Sequence, residues 1–244
     1  IKGVGFPAVV KPVDNAGSRG VTVVKKESEL REAFDHAVSH SRTKEVIAEE
    51  FVKGTECTIE AMTLNGKTEI LGISEKKKPA GKYRVATDLI YPPKFRKKVI
   101  KEIEDLVKKA VMALGIKMGP THTEVLVTPK GKPVLVEMAA RGGGFKIFSD
   151  IIPRISGVDV VEQTIRMSLG MKADIKPKWR RSAVLHFFAP QPGILRKVAG
   201  LDEARSLKDV EVGLFKKIGE EIPVLATDGS RTGNAISWAD GRAN

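Results

Sequence analysis

The stretch THTEVLVTPKGKPVLVEMAARGGGF, residues 121–145, holds two alternating runs, a short turn and a glycine triplet. The runs 122–128 and 133–138 alternate with the period of two that paired strands need, and Lys130-Gly131 reads as the turn between them. A turn centred between Lys130 and Gly131 puts Glu124 and Glu137 equally far from it, so they face each other across the hairpin. Like charges so placed repel. A dication between them reverses that sign, and Mg²⁺ suits the place because it takes oxygen ligands, often one or two carboxylates plus substrate phosphates. A plainer reading leaves both glutamates solvated on an edge hairpin. Val125, Val127, Val134 and Val136 crowding the other face weigh against it, as does the run from Arg141 that follows. The Arg141 guanidinium matches phosphate geometry; an ion pair with Glu137 is its alternative. Gly142, Gly143 and Gly144 let a backbone approach a ligand closely, or simply make a flexible turn.

Working outward, VVKPVDNAGSRGV, residues 9–21, sets a lysine and proline before a small glycine-bearing loop. The loop fits neither GxxxxGK[ST] nor GxGxxG, and alone it passes as a hairpin turn. Valine-rich strands are expected at 8–11 and 21–25, and a helix over about 29–40 capped by Ser28, with Leu30, Ala33, Phe34, Ala37 and Val38 on one face. A strand over 46–51 ends in a turn at Val52-Lys53-Gly54. Asn65-Gly66 signals a hairpin of 56–64 with 68–74. Residues 75–93 read as a mobile loop, 95–114 as the clearest helix, stopped by Gly115, and 158–169 as a further helix. From Lys172 onward short strands suggest a β-rich appendage. Strands and helices do not alternate regularly, so the class is α+β.

The 244 residues carry a formal charge of +12, with 41% hydrophobic and 5% aromatic content. Lysine runs such as Lys76-Lys77-Lys78 read as a solvated surface or as a lure for anions. Nucleic acid is not favoured, since no helix-turn-helix, RNP or zinc-finger spacing appears. Cys57 is the single cysteine, which fits a reducing cytoplasm, and without a paired-cysteine motif no zinc site is expected. No apolar run is long enough for a membrane span. His122 and His186 read as structural.

Four motifs in order now resemble the ATP-grasp superfamily. They are the strand lysine in PAVVKP, the loop NAGSRGV, the acidic strand end IAEEFVKGTE and the two-glutamate hairpin HTEVLVTPKGKPVLVEMAARGGG. The resemblance implies two α+β subdomains clasping ATP, with a small β-rich appendage. It divides the chain into a small subdomain over 1–52, a core subdomain over 53–172 and a C-terminal domain over 173–244. It implies that Lys11 contacts ATP phosphates and that the loop Gly17, Ser18, Arg19, Gly20 closes over them. Glu49 and the backbone at Glu50 and Val52 would recognise adenine, and Glu56 the ribose. Glu124 and Glu137 would hold Mg²⁺ (or Mn²⁺), while Arg141 would stabilise the phosphoryl group in transfer; Lys11 and Arg141 are thus the catalytic candidates.

Members of the superfamily phosphorylate a carboxylate with ATP, and an amine or other nucleophile then displaces the phosphate. Ala139 stands where many members carry an asparagine that ligates a further metal. The alanine form, with FFAPQPGILRKVAGLDEA at 187–204 and the RTGNAISWADG segment, resembles L-amino-acid ligases and their carbamoyl-phosphate-synthase-like relatives. The expectation is a ligase joining a small carboxylate, such as an amino acid, to an amine. An N-terminal α/β domain of roughly a hundred residues usually precedes this region in such enzymes. Either the sequence is a fragment of a longer chain, or a separate chain supplies that domain, and a partner or dimer mate would use the surface it covers. The competing expectation is a nucleotide-binding module without catalysis of its own. Arg154, Lys82 and Arg84 are further candidates for an anionic substrate.

Overall fold

The computed structural model describes residues 3–79 and 85–241. They fall into two compact units, Ile1–Lys53 with Leu225–Ser230, and Gly54–Val224 with Arg231–Asn244.

In the first unit β1 (Ala8–Pro12), β2 (Thr22–Val24), α1 (Leu30–Ser39) and β3 (Val46–Glu50) build a three-stranded antiparallel sheet with β1 central and one helix. Alternation along β1 turns Ala8, Val10 and Pro12 inward. Val10, Val24, Ala33 and Ala37 form the core, with Leu30, Val46 and Ala48 packed against it. Phe34, expected on the inward face of α1, is 45% exposed. Ser28 does not cap α1. It lies inside a 3₁₀ turn, Glu27–Glu29, whose extended entry residue is Lys26, so it lacks the non-helical backbone of a cap. Glu29 instead reaches back to accept from the Lys25 N–H at 2.8 Å.

The second unit starts with the hairpin β4 (Thr55–Leu64) and β5 (Lys67–Lys77). Asn65 (φ 51°) and Gly66 (φ 76°) take the left-handed conformations that a tight hairpin turn needs. There follow β6 (Asp88–Tyr91), α2 (Lys97–Ala113), β7 (Gly119–Val127), β8 (Pro133–Ala139), α3 (Ile152–Ser156), α4 (Val160–Ser168), β9 (Ser182–Phe188), β10 (Gly193–Ile194), α5 (Leu201–Ser206), β11 (Val210–Leu214), β12 (Glu221–Ile222) and β13 (Gly233–Ala239). Among the described residues the order β11-β13-β9-β6-β5-β4-β7-β8 makes one antiparallel sheet, and β10 with β12 a two-stranded one. The class is α+β.

The loop expected over 75–93 is corrected. β5 runs on to Lys77 and pairs with β6, because Lys76 finds carboxylate partners on the sheet and does not need solvent. Lys82 and Arg84 lie outside the described residues. The π-helical turn Ile147–Ile151 and α3 were also not foreseen. Gly72 makes room for them, since a Cβ there would sit 2.7 Å from the Ile152 side chain.

α2 presents Ile103, Val107 and Val111 to Cys57, Ile59, Ala61, Ile73, Val125 and Val127. A second core joins Met62, Leu71 and Tyr91 to Ile151, Ile152, Leu185 and Ile236. None of the described helices is long and apolar enough to cross a membrane.

One spacing was overlooked in the sequence: His36 and His40 stand one turn apart on α1. Their rings meet edge to face at 4.6 Å, and His40 Nδ1 is taken by the His36 carbonyl. Among the described residues no third ligand joins them.

Candidate functional site

The register of β5, β4, β7 and β8 puts the polar chemistry on one face of the sheet. On β4, Glu56, Thr58 and Glu60 share that face, while Cys57, Ile59 and Ala61 turn to α2. Thr58 pairs with Ser74 on β5 and with Glu124 on β7, and Glu124 pairs with Glu137 on β8. One row away, Glu60 pairs with His122, and His122 with Ala139.

Glu124 and Glu137 are therefore direct cross-strand neighbours, by a route that differs from the expected one. The turn is longer than a two-residue loop, with Gly131 N–H donating to Thr128 O and Thr128 N–H to Lys132 O. That length alone would pair Glu124 with Val136. A bulge between Glu124 and Val125 takes up the extra residue and restores the glutamate pair. The longer turn also changes the apolar face: Leu135 and Pro133, not Val136 and Val134, pair with Val125 and Val127.

Lys76 neutralises this face. Its ammonium lies 2.5 Å from Glu124 Oε1 and 2.7 Å from Glu56 Oε1, with a side chain only 12% exposed. Lys78 makes a very close contact with Glu56. Burial works to raise the Glu56 pKa, but Lys76 and Lys78 outweigh it and hold the group at about 2. Burial opposes the charge on Lys76 too, and Glu124 and Glu56 raise its pKa regardless. The reading of Lys76 as solvated surface is thus corrected.

Deeper on the same face, Glu60 is 1% exposed. It accepts from His122 Nδ1 and, at 2.9 Å, from the Gly143 N–H. His122 Nε2 then lies 4.0 Å from Glu124 Oε1. A Cβ on Gly143 would come within 2.5 Å of Glu60 Oε1, so only glycine permits this approach. Sequence reasoning missed Glu60. The signal was a glutamate within the apolar run TECTIEAMTL. Arg141, at the head of the glycine triplet, donates to the Gly142 carbonyl at 2.9 Å.

In the first unit Lys11 and Glu49 share one face of β1 and β3 and form an ion pair at 2.6 Å. Glu50, the next residue on β3, points to the other face. The loop of Gly17, Ser18, Arg19 and Gly20 is a hairpin connection between β1 and β2, with Gly17, Ser18 and Gly20 all at positive φ. Its base is pinned: Asn15 donates to His40 O at 2.7 Å, and Asp14 accepts from the Arg42 and Thr43 N–H groups. Arg19 Nε turns back onto Ala16 O at 3.0 Å.

Arg154 does not stand ready for a substrate. It contacts Glu211, donates to Asp150 O and lies 4.5 Å over the Trp238 ring. His186 pairs with Asp88 at 2.7 Å.

Two adjacent carboxylates form an oxygen donor set that fits a divalent cation. Residues 4–149 match the ATP-grasp domain family, and the chain belongs to it. Residues 186–244 match the L-amino acid ligase C-terminal domain 2.

An L-amino acid ligase from Bacillus licheniformis is similar throughout, with a TM-score of 0.81 and 26% identity over 98% of this chain and 59% of that one. The biotin carboxylase domain of the Hydrogenobacter thermophilus 2-oxoglutarate carboxylase, solved with MgADP, ADP and bicarbonate, shares the fold at a TM-score of 0.75 and 20% identity, over 98% of this chain and 54% of that one. A D-alanine–D-alanine ligase from Cupriavidus pinatubonensis is 30% identical over 146 residues, 57% of this chain and 44% of that protein. Protein y4rH of Sinorhizobium fredii is 27% identical over 247 residues, 99% of this chain and 50% of that protein. The chain spans about half the length of these curated relatives.

Proposed function

We propose that the chain is the ATP-binding and catalytic part of an ADP-forming ligase that joins a small carboxylate, such as an amino acid, to an amine. The observation that carries this reading is the direct opposition of Glu124 and Glu137 beside Lys76. The match to the L-amino acid ligase C-terminal domain supports the substrate class.

In this reading Lys11 and the loop Gly17, Ser18, Arg19 and Gly20 contact the phosphates. Glu49 and the backbone at Glu50 and Val52 take adenine, and Glu56 takes the ribose. Lys76 and Lys78 hold the Glu56 carboxylate ionised and in place. Glu124 and Glu137 hold Mg²⁺ or Mn²⁺, which when bound neutralises phosphate charge. Arg141 faces the phosphoryl group in transfer, where a positioned guanidinium offsets developing charge. A carboxylate oxygen attacks the γ-phosphorus, the bond to the bridging oxygen of ADP breaks, and an acyl phosphate forms. The amine nitrogen then attacks the acyl carbon, phosphate leaves, and the ammonium proton passes to water.

The division into 1–52, 53–172 and 173–244 belongs to this proposal, as does a reducing, cytoplasmic setting for the free Cys57. Association with a second copy or with a further chain belongs to the proposal too.

Calorimetry with ATP and Mg²⁺ tests the assignment. Lys11→Ala and Glu137→Ala should each weaken binding by about tenfold or more, as loss of a charged ligand does. Unchanged affinity in both variants rejects the roles. Coupled ADP release over a panel of carboxylates and amines tests catalysis, and silence from a chain that still binds ATP identifies a nucleotide-binding module.

A further inference from the structure

The buried carboxylate of Glu60 has no place in the roles above, yet it touches two of the parts they use. A carboxylate at 1% exposure is costly unless hydrogen bonds compensate it. Glu60 has two such bonds, and they reach different parts of the site. Oε2 takes the Gly143 N–H at 2.9 Å, in the triplet that follows Arg141. Oε1 takes Nδ1 of His122, two residues before Glu124 on β7. A carboxylate on Nδ1 fixes the imidazole tautomer and ring orientation, and so directs Nε2 toward Glu124, 4.0 Å away.

The fit is close on every side. A Cβ on Gly143 would stand 2.5 Å from Glu60 Oε1 and 2.9 Å from His122 Nδ1. Immediately downstream, Phe145 and Lys146 hold left-handed backbones, φ 49° and 64°, which non-glycine residues adopt only when their surroundings hold them there. Gly142 is equally confined, since a Cβ there would come within 2.7 Å of three Phe148 side-chain atoms.

We infer that Glu60 is a positioning residue: it clamps the glycine segment after Arg141 to the strand that carries Glu124, so that the phosphoryl-facing backbone and the metal-binding carboxylate are set by one buried group. The inference rests on the ligase reading for its chemistry, but the clamp itself does not. Such a clamp acts where charge develops during transfer and has little to do with adenine or ribose.

The test compares Glu60→Ala and Glu60→Gln with the wild-type chain by two measurements. Amide hydrogen exchange over 142–146 reads the clamp without any ligand. Calorimetry with Mg·ADP, with and without aluminium fluoride as a mimic of the phosphoryl group, reads its effect on the site. Glu60→Ala should speed exchange over 142–146 while α2 stays protected. It should weaken binding in the presence of aluminium fluoride by about tenfold or more, and Mg·ADP binding alone by clearly less, the part that passes through Glu124. Glu60→Gln keeps an acceptor for the Gly143 N–H but offers an amide N–H to His122, so it should fall between Ala and wild type on both measurements.

Unchanged exchange in Glu60→Ala overturns the clamp. Equal losses of Mg·ADP affinity with and without aluminium fluoride overturn the positioning role in favour of a purely structural one. Should Glu60→Ala fail to fold, a Glu60→Gln chain identical to wild type in both measurements overturns the inference. If wild type binds Mg·ADP and gains nothing from aluminium fluoride, the ligase reading falls instead, and exchange alone judges the clamp.

Discussion

Glu56 shows how one pair of lysines shapes the acid behaviour of this protein. Its folded-state pKa of about 2 lies below the usual 4.5. A depressed carboxylate stabilises the fold fully above its unfolded pKa, and that contribution is lost as pH falls from about 4.5 toward 2. Glu56→Gln should therefore flatten the acid limb of stability, read as a smaller shift of the urea midpoint between those two pH values. Cys57 behaves in the opposite sense. Burial, with Glu75 and Glu56 adding to it, pushes its thiol up to about 12, so almost no thiolate exists at neutral pH. A thiol reagent should label it only after unfolding; rapid labelling of the native chain would contradict the burial.

At the scale of elements, the β7–β8 hairpin decides the site. Directly opposed antiparallel residues have Cα atoms within disulfide reach. With Cys57 replaced by serine, Glu124→Cys with Glu137→Cys should oxidise readily, and Glu124→Cys with Val136→Cys should not. The reverse outcome would place the bulge elsewhere.

The pairing itself was legible in the sequence, because two alternating runs and a Lys-Gly turn leave few registers. Its mechanism was not. A five-residue turn and a compensating bulge give the same glutamate pair as a two-residue turn without one. What Glu60 and Lys76 bind was hidden for a different reason. Their partners sit 62 and 48 residues away along the chain, so strand order, not local spacing, brings them together. α2 was legible as a helix, with Val99, Ile103, Leu106, Val107 and Val111 following helical periodicity onto the sheet, while Leu114, expected on the same stripe, is 62% exposed. Ile103→Ala in that stripe should cost about 2–5 kcal/mol of stability. ATP affinity should hold, since α2 packs on the opposite face from the carboxylates.

For the molecule as a whole, 42 lysines and arginines exceed 30 aspartates and glutamates by 12, and local pairing leaves that excess unchanged. Lys11, Lys76, Lys78 and Arg154 are each engaged by a carboxylate. The excess attracts anions in general, but no helix-turn-helix, RNP or zinc-finger spacing turns it into a nucleic-acid surface. A labelled oligonucleotide titrated at two salt concentrations should show no binding near physiological salt, whereas phosphate-driven binding with a steep salt slope would revive a nucleic-acid role.

The sheet of the second unit also has a consequence for how such a protein can change over time. Along β4 one set of alternate positions holds Glu56, Thr58 and Glu60, and the other holds Cys57, Ile59 and Ala61. A change in the first set alters the polar face without touching the residues that keep the helix in place. The second can drift among apolar side chains of similar size while the chemistry stays as it was. The helix contact and the polar chemistry are thus inherited on separate, interleaved registers of the same strands, and change is costlier on the polar one, where Thr58 and Glu60 are buried and hydrogen-bonded.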